Sequence, residues 1–202
     1  MYLSIGGSLA VGIWLAVLGQ WKALVIGIIL LLGGAQLLAL LMIPSLLLAS
    51  PARRAFEVGN NTIGFVWAGS SVLYTTALVV GWAFIVLKLF CSIASDCSRI
   101  PTLLWSYGAA IQPWVFMAKR DQQSQAEGNL HSIGQAFFLS ASLLVCIADL
   151  LIFKASLTTC FWILAGVMGT SAAISFALVI DKELSLGRLT RPPTSSPPPS
   201  SQ

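Results

Sequence analysis

Apolar residues in this chain come in long blocks, and the polar breaks between them are often only three residues long. The first block runs from Leu3 to Leu18 and stops at Gln20, Trp21 and Lys22. The second, Ala23 to Leu48, gives way to Pro51, Arg53, Arg54, Glu57, Asn60 and Asn61. The third runs from Thr62 to Phe90, and a further pair, Ser132 to Phe153 and Leu157 to Ile180, is split only by Lys154, Ala155 and Ser156. A helix that crosses a hydrocarbon core of about 30 Å needs about 20 mostly apolar residues. These five blocks therefore predict transmembrane helices, with tight hairpins at each end of the chain.

Thr102 to Ala118 is a shorter apolar stretch containing Ser106, Tyr107, Gln112 and Pro113. It reads as a sixth, kinked span, or else as a re-entrant or interfacial segment, with Trp105, Tyr107 and Trp114 suited to an interface. The apolar side chains of Leu103, Leu104, Val115, Phe116 and Met117 favour six spans, because water is a poor solvent for them. Pro44 is expected to kink or end the second block, leaving Ser45 to Ser50 along the interface. Lys119 to His131 is expected to be a loop.

The predicted fold class is therefore all-α, a polytopic transmembrane helical bundle. Its helical domain covers residues 1–183, with spans near 3–18, 23–48, 62–90, 102–118, 132–153 and 157–180. Residues 184–202, rich in Pro and Ser, are expected to form a disordered cytoplasmic tail. No basic n-region precedes Leu3, and no small-x-small cleavage site precedes Trp21. The first block thus reads as a span rather than a signal peptide.

Composition sharpens this picture. Of 202 residues, 57% are hydrophobic and 9% charged, and mean hydropathy is +0.88. A water-soluble domain of this size has no way to bury so much apolar surface. The net charge of +4 marks the flanks of spans rather than a nucleic-acid footprint, since basics and aromatics do not cluster on a polar surface.

With six spans, Arg53, Arg54, Lys119, Arg120, Lys182, Arg188 and Arg191 share one side with both termini. Lys22, Lys88, Arg99 and Lys154 lie on the other. With five spans, eight basics lie on the C-terminal side against Arg53, Arg54 and Lys154. Either way the positive-inside rule makes the C-terminus cytoplasmic, in a bacterial inner membrane by default.

Candidate chemistry is sparse. Asp149 is the one carboxylate within a span, and charge at membrane depth points to function unless it is paired. Here Lys154, a turn away, offers the simpler explanation. Gln36, Gln112 and Gln135 need hydrogen-bond partners in lipid, and would either line a cavity or join helices. Cys91 and Cys97 are candidates for a disulfide if their loop is exterior, and for two unlinked thiols if it is not. Cys146 and Cys160 read as small buried hydrophobes. The lone His131 lacks partners for a metal site, and no cofactor or metal is expected.

Small residues at four-residue spacing are the best local signal. Ser8, Gly12 and Ala16 line the first span, and Ala165, Gly169, Ala173 and Ala177 line the last. Gly64 and Ala68, then Ala77 and Gly81, do the same in the third. Such stripes let helix backbones approach closely in lipid. They serve packing within one chain or association with a partner, and three striped helices exceed what one internal contact requires.

The expected function is that of a non-catalytic accessory, scaffold or assembly subunit whose partners are the bilayer and other membrane subunits or copies of itself. The alternative is a small oligomeric channel or transporter, with breaks at Pro44 and Pro113 shaping a pore. A lipid-acting enzyme built on His131, Asp121 and Glu127 would have too few groups.

Overall fold

The computed structural model describes residues 2–93, 99–122 and 129–189. These form seven helices: α1 (Tyr2–Val17), α2 (Trp21–Leu41), α3 (Ile43–Glu57), α4 (Asn61–Ile93), α5 (Ile100–Gln122), α6 (Asn129–Ile152) and α7 (Leu157–Leu189). Among the described residues there is no strand.

Among the described residues three stretches are long and apolar enough to cross a membrane: Trp21–Glu57, Asn61–Ile93 and Leu157–Leu178. Ala136–Ile152 is a shorter apolar helix.

The turns follow from local chemistry. Gly19 (φ 70°) and Gly59 (φ 80°) adopt the left-handed conformation that glycine tolerates best. Each closes a helix with the paired bonds of a Schellman motif. Gly19 N donates to Ala16 O at 3.0 Å and Gln20 N to Leu15 O at 2.9 Å. Gly59 N donates to Phe56 O at 3.0 Å and Asn60 N to Ala55 O at 2.9 Å. Ser156 starts α7 as an N-cap, its Oγ accepting from Thr159 N at 3.2 Å.

α4 and α5 form the centre. α4 packs against α2, α3, α5 and α7, and α5 packs against α1, α2, α4 and α6. Phe90 and Leu87 of α4, Leu103 of α5, Leu139 and Leu143 of α6 and Leu164 of α7 are buried in one continuous core. The outside is apolar too: Leu32, Leu73, Ile152 and Phe153 are each at least 70% exposed. A surface of this kind is consistent with a membrane protein, because monomers in water rarely expose large apolar patches.

The structure departs from the sequence reading in several places. The break expected at Pro44 is present, since the second block is two helices meeting at Met42, but Ser45 to Ser50 belong to a longer helix, α3, that packs on α4. α3 also carries the helix through Arg53 and Arg54 to Glu57, where a loop is expected. Both arginines are exposed, and Arg53 pairs with Glu57 one turn on at 3.2 Å, so their charge never leaves solvent.

Residues 102–118 belong to a continuous α5 that runs to Gln122, and α6 begins at Asn129. Lys119 to Gln122 and His131 are thus helical rather than in a loop. α7 continues through residues 184–189, which the sequence assigns to the tail. Residues 190–202 lie outside the described residues.

Candidate functional site

Two helix breaks converge on α4. Pro44, in the first turn of α3, has no backbone N–H to give, so the helix cannot run unbroken from α2. Three residues before it, the Leu41 carbonyl accepts a hydrogen bond from Tyr74 Oη at 2.9 Å. Below this break Ser45 is buried. Its Oγ lies 2.7 Å from Thr75 Oγ1 and 3.0 Å from Ser71 Oγ, while Ser71 Oγ donates to Ser45 O at 3.0 Å.

Pro113, inside α5, repeats the arrangement. Three residues before it, the Ala110 carbonyl accepts from Trp82 Nε1 at 3.2 Å. At both breaks expected from the sequence a side chain of the same helix thus donates to the carbonyl three residues before the proline. Hydrogen bonding of this kind lets prolines persist in apolar surroundings.

Two of the close approaches come from glycines the four-residue stripes do not include. A Cβ on Gly27 would fall inside the Trp105 indole, and one on Gly34 would lie 3.1 Å from both Pro113 Cγ and Trp82 Cζ2. Trp105 is buried, and its Nε1 donates to Ala23 O at 3.2 Å. It is thus a core anchor between α2 and α5, not the interfacial ring expected from its neighbours. Spacing alone misses this pair because Gly27 and Gly34 are seven apart.

The predicted stripes divide. Gly12 is buried with Trp105 and Leu24 each 3.4 Å from its virtual Cβ, and Ala16 is half-buried. The Ser8 side chain lies outside the described residues. Gly64 and Ala68 are buried, Gly64 against Phe56, whereas Ala77 is exposed and Gly81 has open space beside it. On α7, Ala165 is half-buried, but Gly169, Ala173 and Ala177 are exposed, and nothing stands within 4 Å of a Cβ on Gly166 or Gly169. α7 turns Leu164, Met168, Ser171 and Ser175 inward instead.

The polar candidates stay scattered. Asp149 is half-buried, and its Oδ2 has no hydrogen-bond partner. No ion pair joins it to Lys154, which is exposed with φ 49°. The chain leaves α6 at Ile152, so the helical register expected to bring them together ends first.

One turn before Asp149, Cys146 Sγ donates to Cys160 O at 3.4 Å and Cys160 Sγ to Cys146 O at 3.8 Å. This stitches α6 to α7 with two free, buried thiols. Cys91 is disulfide-bonded, and Cys97 lies outside the described residues. Gln36 is exposed on α2, Gln112 is half-buried on α5, and the side chain of Gln135 lies outside the described residues. Gln20, which the sequence reading treats as a simple polar break, accepts from Thr102 Oγ1 at 2.7 Å.

Among the described residues no three His, Cys, Asp or Glu side chains gather as a metal-binding group. Comparison with protein-family models, curated proteins and solved structures finds no match to any of them.

Proposed function

We propose that this protein is a multi-pass membrane accessory or scaffold subunit whose work is to hold partner transmembrane helices. The observation that carries this reading is the outer face of α7. There Gly166, Gly169, Ala173 and Ala177 form an exposed row of small residues, and small residues at a membrane helix surface are what a second helix packs into.

In this reading the chain crosses six times: α1, the broken α2–α3 unit, α4, α5, α6 and α7. Arg53, Arg54, Lys119 and Arg120 then share the cytoplasmic side with both termini, following the positive-inside rule. The disulfide at Cys91 supports the same orientation. It needs an oxidising compartment, and it sits at the end of α4 opposite Arg53 and Arg54.

The test is purification of the full chain from its native membrane in mild detergent, followed by native mass spectrometry. A second membrane polypeptide is expected at fixed stoichiometry, and Gly169→Leu is expected to release it. Purified chain that carries no partner and conducts ions in liposomes would replace this reading with a channel.

A further inference from the structure

Gln36 is a polar side chain on an outer, apolar helix face. It is exposed on α2, fourteen residues after Lys22 and seventeen before Arg53. At 1.5 Å per residue, that is ~21 Å of helix from the nearer charge. The α2–α3 unit spans Trp21–Glu57 and is apolar enough to cross a membrane, which puts Gln36 near mid-bilayer. Hydroxyls on other outer faces satisfy themselves on their own helix: Ser70 Oγ donates to Val66 O and Thr170 Oγ1 to Val167 O. A carboxamide carries two donors and an acceptor, and lipid supplies partners for none of them.

The surroundings of Gln36 are patterned. Lys22, Ile29 and Gln36 are seven apart, as are Val25, Leu32 and Ala39. All six are exposed, with Val25 at 51%, Ile29 at 61% and Leu32 at 71%. The buried residues Ala23, Gly27, Gly34 and Leu38 lie on the opposite face, toward the rest of the bundle. The outer face is thus an a/d heptad seam with Gln36 as the polar a position inside the apolar stretch and Lys22 as the a position at its edge, the pattern by which paired helices set register and partner number.

We propose that this seam joins two copies of the chain, with the two Gln36 amides hydrogen-bonded across a twofold axis along the membrane normal. The membrane itself selects that occupant. Copies inserted with the same topology present α2 in parallel, and a twofold then sets each residue opposite itself. Gln36 of one copy meets, at its own depth, a group that both donates and accepts. This contact is separate from the small-residue row of α7 and leaves that row open.

Full-length chain, purified and reconstituted alone in phosphatidylcholine liposomes, tests it. Leu32→Cys, Gln36→Cys and Ala39→Cys should each cross-link to twice the monomer mass on oxidation with copper phenanthroline. Leu30→Cys, which packs against the core, should not. Dimer dissociation measured by energy transfer on lipid dilution should weaken about tenfold for Gln36→Leu, the scale of an interhelical hydrogen bond in lipid, and Gln36→Asn should restore most of it. Gln36 is exposed, so helix content of Gln36→Leu by circular dichroism should match the parent.

Absence of the α2 cross-links, or a Gln36→Leu dimer within twofold of the parent, overturns the proposal. So does a Gln36→Cys adduct that forms only in native membranes and with a polypeptide of different mass. That last outcome would leave the accessory-subunit reading standing, since the liposome assay contains no other protein.

Discussion

Trp82 Nε1 donates to the Ala110 carbonyl at 3.2 Å, three residues before Pro113. Proline withholds the donor that the carbonyl of residue 109 would receive, and its ring crowds the same turn. The indole thus supplies hydrogen bonding where the helix is weakest. Trp82→Phe keeps most of the ring and removes the N–H. It should destabilise the purified protein by about 1–3 kcal/mol, the usual cost of stranding a buried polar group. In a Pro113→Ala background the turn no longer carries the crowding ring and Trp114 N–H can reach the Ala110 carbonyl, so the same substitution should cost measurably less. Thermal unfolding in detergent, arranged as a double-mutant cycle, reads the difference, and equal costs in both backgrounds would break the link.

Glycines in this fold are not equivalent. Gly27→Ala places a methyl inside the Trp105 indole and should cost about 1–3 kcal/mol or more, as overpacking a tight contact does. Gly81→Ala meets nothing within 4 Å and should stabilise α4 by about 0.5–1 kcal/mol through helix propensity. Both shifts are read as changes in unfolding midpoint at constant detergent.

The thiols make a counting experiment. Cys91 is disulfide-bonded and Cys146 and Cys160 are free. Denatured, unreduced protein should therefore take up two alkyl groups by intact mass, and reduced protein should take up four, matching the four cysteines of the sequence. Four additions without reductant would remove the support that Cys91 gives to the orientation.

Asp149 separates structure from transport. Its Oδ2 has no partner and Lys154 does not reach it. If the carboxylate only burdens α6, Asp149→Leu should raise stability by about 1–3 kcal/mol, as removal of an unsatisfied polar group does. It should also leave co-purification of partners unchanged. A variant that folds as well as the parent but loses ion flux in liposomes would favour the channel alternative.

Much of the scaffold is legible in the chain because lipid imposes a simple rule on long apolar blocks. α4, α6 and α7 begin within a few residues of where the pattern puts them. Pro44 and Pro113 announce breaks through their chemistry, although what fills those breaks lies elsewhere in sequence. Tyr74 is 33 residues from Leu41 and Trp82 is 28 from Ala110, and no local pattern joins them.

α3 is missed for a different reason. Its arginines resemble a loop until the helix is seen to keep them on its wet face. The uncovered faces are partly readable: Gly169, Ala173 and Ala177 stand out by spacing. Which side of α7 turns outward is decided by α4 and α6 packing on the other.

The bond from Tyr74 to Leu41 also orders the chain's birth. A ribosome adds about 5–20 residues per second, so the 33 residues between them take about 2–7 s to make. Through that interval the Leu41 carbonyl exists without the phenol that will meet it. The turn after α2 therefore stays open until α4 arrives, and α4 becomes the helix that completes the first half of the fold.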